Sequence, residues 1–351
     1  MADQFPTASS SADTVTQRRT ALKKIAGVTA AAMAPGALFA QSAAKFTMKL
    51  GISLPETHPI PAGLKAACAE ILKESNGRLA IEVFPSGQLG SDTDMISQVR
   101  SGAIDFVSTA GLVWGTLVPV ASINVVAFAF PDYPTVWNAM DGDLGAHIRS
   151  AFASVNLVPQ TKIWDHGFRH VTNTAKPIST PQDLAGMKIR VPVSPMLTSL
   201  FKGLGAAPAT VPYGELYTAL QTKVVDGQEN PLTVVDTAKL YEVQKFCSYT
   251  AHAWDGFWLV GNKRSWSALP EDLQRLASRI FDAHATKERV ASAELNRTLQ
   301  EQLKTKGMQF NAVDGKPFRT VLQKAGYYAE WQKKLGNDAW AILEKYSGRL
   351  V

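Results

Sequence analysis

The sequence predicts an α/β protein of two similar lobes tied together by one long helix. Three observations predict it: a strand, a helix and a strand in succession from Lys45 to Phe84, the same grammar again from Met187 to Asp226, and an unbroken helical pattern from Pro270 to Lys306.

In the first module Phe46, Met48, Leu50 and Ile52 alternate with mostly polar neighbours, the period of a strand, and Leu54 to Pro61 follows as a loop with three prolines. A helix is expected from about Ala62, with Ala67, Ile71 and Leu72 at helical spacing. It ends at Asn76-Gly77, before a strand over Leu79 to Phe84 that Pro85 stops. Gly87 to Ser91 leads into a second helix whose apolar positions are Met95, Ile96 and Val99, and Gly102 separates it from a buried strand over Ile104 to Ser108. Strands joined through helices imply a parallel sheet. The second module reads as strand Met187 to Pro192, helix Pro195 to Leu204, a strand-like Ala209 to Val211, helix Tyr213 to Gln221, then Val224-Val225-Asp226. Laying Met95 to Asp105 over Leu216 to Asp226 aligns Val99 with Leu220, Ser101 with Thr222, Ile104 with Val225 and Asp105 with Asp226, as two lobes built alike would show. From Pro270 to Lys306, Leu273, Leu276, Ile280, Ala283, Val290, Leu295 and Leu299 mark one helix. At ~1.5 Å per residue it runs ~55 Å, longer than a small domain is wide, so it ties the two lobes.

Composition narrows the function. The chain has 351 residues, 46% hydrophobic and 19% charged, which excludes a disordered tail, a collagen-like repeat and a small disulfide scaffold. Its net charge of +6 is spread out, with no basic stripe of the kind nucleic-acid binding needs. Cys68 and Cys247 stand alone, without CxxC spacing, and read as two buried thiols.

Residues 1–40 read as an address. Arg18-Arg19 precede an apolar stretch from Ile25 to Ala40 that ends in small residues, the pattern of a twin-arginine export signal removed near Ala40. The stretch is shorter than the ~20 residues of a membrane span, and Pro35-Gly36 would break it. Val118 to Phe130 is interrupted by Pro119 and Asn124, so the mature chain is expected to be soluble and periplasmic. That compartment lacks a supply of ATP or nicotinamide, and no cofactor is expected.

Motifs for nucleophilic, zinc or phosphate chemistry are missing: there is no GxSxG, HExxH or GxxxxGK[ST]. Gly203 to Pro208 imitates a dinucleotide loop but ends a helix. His166 and His170 have zinc-like spacing only on a helix, whereas Gly167 and Phe168 to Thr172 favour an extended chain. Polar residues at strand ends remain. An inward guanidinium at Arg190, inside Met187 to Pro192, would need an anion, and its planar fork matches a carboxylate; an exposed strand arginine is the plain alternative. Arg169 stands beside another apolar strand. Asn230 closes Val225 to Pro231, a polar cluster at the carboxyl end of a predicted strand, where open α/β sheets put ligands, although turn chemistry explains Asp-Gly and Asn-Pro equally well.

These residues carry a resemblance. Trp164 to Arg169, Met187 to Pro192, Tyr213 to Gln221 and Val225 to Pro231, with Gly87-Gln88-Leu89-Gly90 and Leu269 to Leu273, resemble the DctP-type solute-binding proteins of TRAP transporters. The resemblance implies a two-lobed periplasmic-binding-protein fold with mixed sheets flanked by helices, a hinge helix spanning both lobes over about 270–306, and closure over an organic acid like a flytrap. It places lobe I at 41–166 plus about 255–295 and lobe II at 167–254 plus about 296–351. The implied partners are the small and large membrane subunits of a TRAP permease driven by an ion gradient. By position Arg190 matches the main carboxylate-binding arginine, Arg169 a supporting one, Asn230 the completing amide and Tyr213 a bordering aromatic. His58 falls in a loop that often touches ligand in this family.

The stretch Ser108 to Trp114, which faces the pocket from the opposite lobe in this family, carries no charged residue here, which argues against a sialic acid. Trp114, Trp164 and Trp254, with Phe257 and Trp258 nearby, offer apolar faces for an aromatic or branched body. The expected ligand is a monocarboxylate, a 2-oxo or 2-hydroxy acid, with four-carbon dicarboxylates as the alternative. Competing readings are a periplasmic lyase or hydrolase using Asp165, His166 and Arg169, and a receptor for an ATP-driven importer.

Overall fold

The computed structural model describes residues 45–351; the expected export signal lies outside them. The described residues form ten strands: β1 (Phe46–Ile52), β2 (Leu79–Phe84), β3 (Phe106–Ala110), β4 (Leu157–Pro159), β5 (Trp164–Asn173), β6 (Lys188–Val191), β7 (Ala207–Thr210), β8 (Gly227–Asn230), β9 (Phe246–Asn262) and β10 (Gln309–Ala312). They join in the order β2-β1-β3-β9-β5-β8-β6-β7, with β4 and β10 also paired to β9. β1 lies parallel to β2 and β3, and β6 parallel to β7 and β8. β9 is antiparallel to β3 and β5, so the 17-residue β9 and the 10-residue β5 carry one mixed sheet through both lobes.

The two modules match in bonding as well as in order. The Lys49 N–H in β1 donates to Asp105 Oδ2 at 2.8 Å, and Lys188 N–H in β6 donates to Asp226 Oδ2 at 2.9 Å. Each aspartate returns its own N–H to the same lysine's carbonyl, at 3.1 and 2.7 Å. Each immediately precedes a strand, β3 or β8, that runs parallel to the lysine's strand. The aligned pair Asp105 and Asp226 therefore performs one task twice.

Helix boundaries follow from capping. The first helix, α1 (Pro59–Glu74), begins three residues before the expected Ala62, because the His58 ring accepts the Ile60 N–H at 3.2 Å. Pro59 and Pro61 fit the first turn, whose N–H groups have no helical partner. Helix α2 (Asp92–Ser101) opens on a capping box between Ser91 and Asp94 and ends at left-handed Gly102. A single turn, α3 (Gly111–Trp114), follows β3. The long helix spans Glu271–Thr305, close to expectation, and packs along α1 and β5.

The strand expected at Val224 to Asp226 instead begins at Gly227: the polar run Gly227 to Asn230 is itself the strand and is fully buried, and a short helix over Leu232–Thr237 follows it. Burial is tolerable because the side chains pair: Gln228 Nε2 donates to Thr172 Oγ1 at 2.8 Å, and Glu229 meets Arg169. The last helices contact early and middle segments of the chain. Glu330 accepts from Ser199, while Tyr328 Oη donates to the Ala127 carbonyl and Lys345 pairs with Asp143. Cys68 and Cys247 are both buried free thiols. No helix among the described residues is long and apolar enough to cross a membrane.

Candidate functional site

A cleft opens at the carboxyl ends of the parallel strands, the place where such sheets hold ligands, and contains about 500 Å³ between atoms, part of it open to solvent. One wall comes from the first module: Ser53 and Leu54 after β1, Ser91 and Asp92 at the start of α2, Ala110 at the end of β3, and Leu112 and Val113 in α3. The other comes from the second: Arg190 in β6, Pro192 and Val193 after it, Pro212 and Tyr213 after β7, and Asn230 at the end of β8. His166 and Arg169 of β5 and Phe257 of β9 lie between them.

Arg190 points inward and is 1% exposed, although Lys188 two residues earlier is exposed. Among the described residues its guanidinium makes one hydrogen bond, from Nε to the Val211 carbonyl at 2.9 Å. Both Nη groups are left for the cleft. Burial pulls its pKa down to about 10 against the attraction of Glu229 and Asp92, so the charge persists at neutral pH without a paired carboxylate.

Arg169 is equally buried but its charge is met. Nε and Nη2 donate to the two Glu229 oxygens at 2.5 and 2.8 Å, and Nη2 also reaches the Glu229 carbonyl at 2.9 Å and Asn230 Oδ1 at 3.1 Å. His252 Nε2 lies 3.1 Å from Glu229 Oε2. Burial pushes the Glu229 carboxyl up, but Arg169 and His252 outweigh it and hold it at about 2. Asn230, expected to donate its amide to a ligand, already donates one N–H to Gln228 Oε1 at 2.5 Å.

His166 reaches the cleft because β5 slips register there. Asp165 pairs with Gly256 and Gly167 with Asp255, so His166 is an extra residue outside the ladder, and Gly167 takes φ +113°, which a side chain would resist. Burial, Arg169 and His58 keep the ring neutral by pulling its pKa well down. Asp165, on the neighbouring position, turns away: its Oδ1 accepts from Trp254 Nε1 at 3.0 Å, and its N–H donates to Glu288 of the long helix at 2.9 Å. The trio Asp165, His166 and Arg169 is thus split across the strand.

Four expected ligand contacts lie elsewhere. His58 is fully buried as the cap of α1, where burial lowers its pKa to about 3. Trp114 packs edge-on to Phe152, Trp164 fills the space beside Gly63, and Trp254 sits against Phe130 and Trp137. None of the four lines the cleft; the tryptophans are core, and the aromatic faces in the cleft are Tyr213, Phe257 and the imidazole of His166. Asp92 was missed by sequence reasoning. It lies two residues past the Gly87 to Gly90 landmark and accepts from Thr109 Oγ1 at 2.7 Å, and burial raises its pKa against Thr109, Ser53 and Arg190.

Two walls from separate modules, a buried cation with free donors and a mixed lining define a solute-binding protein that encloses an anion. Residues 50–334 match the family model DctP, bacterial extracellular solute-binding protein family 7, and the chain belongs to that family. Its members are substrate-binding components of transport and not enzymes. The chain is 34% identical over 300 residues to the 2,3-diketo-L-gulonate-binding periplasmic protein YiaO of Escherichia coli, covering 85% of this chain and 89% of that one. A TRAP periplasmic solute-binding protein from Polaromonas sp. JS666, bound to D-erythronate, superposes with a TM-score of 0.77 at 32% identity, over 85% of this chain and 98% of the other. Another, from Sulfurospirillum deleyianum with bound succinate, gives 0.80 at 26% identity, over 87% and 99%. The fold is the two-lobe fold of these proteins.

Proposed function

We propose that the protein captures a 2-oxo or 2-hydroxy monocarboxylate in the periplasm and delivers it to the small and large membrane subunits of a TRAP permease. The observation that carries this reading is the buried Arg190 guanidinium, whose Nη groups face the cleft without a protein carboxylate. A carboxylate there accepts two charge-assisted hydrogen bonds, with Arg169 Nη1, Asn230 and Tyr213 beside it. Charge count favours one carboxylate. Arg169 is matched by Glu229, and Asp92 on the other wall would repel a second anion while accepting from a hydroxyl. Leu54, Leu112, Val113 and Phe257 suit an apolar or branched body.

Closure then requires a ligand that touches both walls, since equal affinity for open and closed forms would shift nothing. Lobe I at 41–166 plus about 255–295 and lobe II at 167–254 plus about 296–351 would move about the register slip at His166 and the neighbouring Trp254-Asp255. Residues 1–40 would be the twin-arginine signal, removed near Ala40. The relative with succinate favours a four-carbon dicarboxylate as second reading. Titration calorimetry with D-erythronate, mandelate and succinate tests the choice: a monocarboxylate should bind at least about tenfold tighter than succinate, a gap of ~1.4 kcal/mol. Equal or tighter succinate binding contradicts it.

A further inference from the structure

Glu229 occupies Nε and Nη2 of Arg169, which leaves Nη1 as the remaining arm of the guanidinium. Its neighbours are His166 Nδ1 at 3.4 Å and Asp255 Oδ2 at 3.8 Å. Asp255 is fully buried. Its Oδ1 accepts from Asn124 Nδ2 at 3.1 Å and from the Gly256 N–H at 2.9 Å, while Oδ2 has no hydrogen-bond partner among the described residues.

The groups facing this carboxyl come from every element around it. β5 contributes Arg169 and the neutral His166, whose Nδ1 is 3.9 Å from Oδ2; β8 contributes Glu229; and the segment Pro119–Val125 contributes the uncharged Asn124. One cation therefore stands between two carboxylates. Burial pushes Asp255 up to about 6, against the pull of Arg169, Asn124 and the Gly256 N–H and with the help of Glu229.

We propose that Asp255 is a positioning residue that competes with the ligand carboxylate for Arg169 Nη1, so that binding an organic acid takes up one proton from solvent onto Asp255. This rests on the clamp reading above. An anion arriving at Nη1 becomes a like-charged neighbour of Oδ2 and raises that carboxyl further. Protonation removes the competing charge and leaves Nη1 to the ligand. Affinity is highest when Asp255 is already protonated and falls as pH rises past the carboxyl's value in the free protein, by up to about tenfold per unit.

The test uses the intact protein and whichever of D-erythronate, 2,3-diketo-L-gulonate and mandelate raises its melting temperature most. Calorimetry at pH 7 in two buffers of different ionisation enthalpy should show net proton uptake in the wild type, which needs no variant to fold. The wild-type Kd should weaken about tenfold from pH 5.5 to 7.5, whereas Asp255→Asn should bind more tightly at pH 7.5 and with little pH dependence. Binding that is lost in Arg190→Met, yet shows no proton uptake and the same pH slope in Asp255→Asn, overturns this inference and leaves the clamp standing. Binding that survives Arg190→Met unchanged overturns both.

Discussion

Glu229 grips Arg169 through both carboxylate oxygens, with Nε to Oε2 at 2.5 Å and Nη2 to Oε1 at 2.8 Å. The cleft therefore contains two buried arginines of different standing: one matched inside the protein, one whose Nη groups make no hydrogen bond among the described residues.

Removing Glu229 should cost stability first. Glu229→Ala leaves the Arg169 charge buried without its main partner, and chemical denaturation should show a loss of about 3–5 kcal/mol. Glu229→Gln, which keeps acceptors and volume, should lose less. An unchanged denaturation midpoint in Glu229→Ala would show that this pair does not hold the two strands together.

Asp92 should govern what the ligand carries beyond its carboxylate. Asp92→Ala removes a hydroxyl acceptor and a negative charge from the same wall, so D-erythronate should bind about tenfold more weakly and succinate several-fold more tightly, each near ~1 kcal/mol. Parallel titrations check both signs, and movement of the two acids in the same direction would contradict this role.

Trp254 should matter to the fold rather than to the ligand. Trp254→Phe loses the bond to Asp165 Oδ1 and should destabilise by about 1–3 kcal/mol while ligand affinity stays within about threefold. Lost affinity at unchanged stability would return the residue to the binding surface.

The sheet, the two modules and the long helix were legible because apolar period and Gly/Pro punctuation are local signals. Arg190 was legible too, as a charge amid Ile189 and Val191. The tryptophans were not: an aromatic side chain is as apolar in a core as in a pocket, and only the packing of Trp164 against Gly63 or Trp114 against Phe152 separates the two. Glu229 lay in a run that resembled a turn, because its partner Arg169 is sixty positions away. Asp92 could have been found from its place at the first turn of a helix that follows a glycine-rich loop at a strand end.

Stability should depend on pH through Asp165 and Glu288. The Asp165 main-chain N–H donates to Glu288 Oε2 at 2.9 Å where β5 crosses the long helix, and Arg289, whose charge lowers both carboxyl pKa values only in part, is tied to Asp141 at 2.9 and 3.1 Å. Burial raises both pKa values, with the Asp165 charge adding to the rise at Glu288, so the folded protein holds a proton that the unfolded chain releases near pH 4. At this pair the folded form binds more protons, so the pair's contribution to stability falls as pH rises from about 4 toward neutrality, by up to ~1.4 kcal/mol per unit for each proton held, opposite in sign to the contribution of the buried neutral histidines His58, His166, His170 and His252. Glu288→Gln should remove this falling component, so that the variant's melting temperature gains on the wild type's as pH rises from about 4 to 7; a difference that does not change with pH would place the proton elsewhere.

Calorimetric titration of Arg190→Met against the wild type, with the same monocarboxylate, tests the clamp most directly. Loss of two charge-assisted hydrogen bonds predicts a Kd at least about 100-fold weaker, near 3 kcal/mol, in a protein that still melts cooperatively. A folded Arg190→Met protein that binds within threefold of the wild type would contradict it.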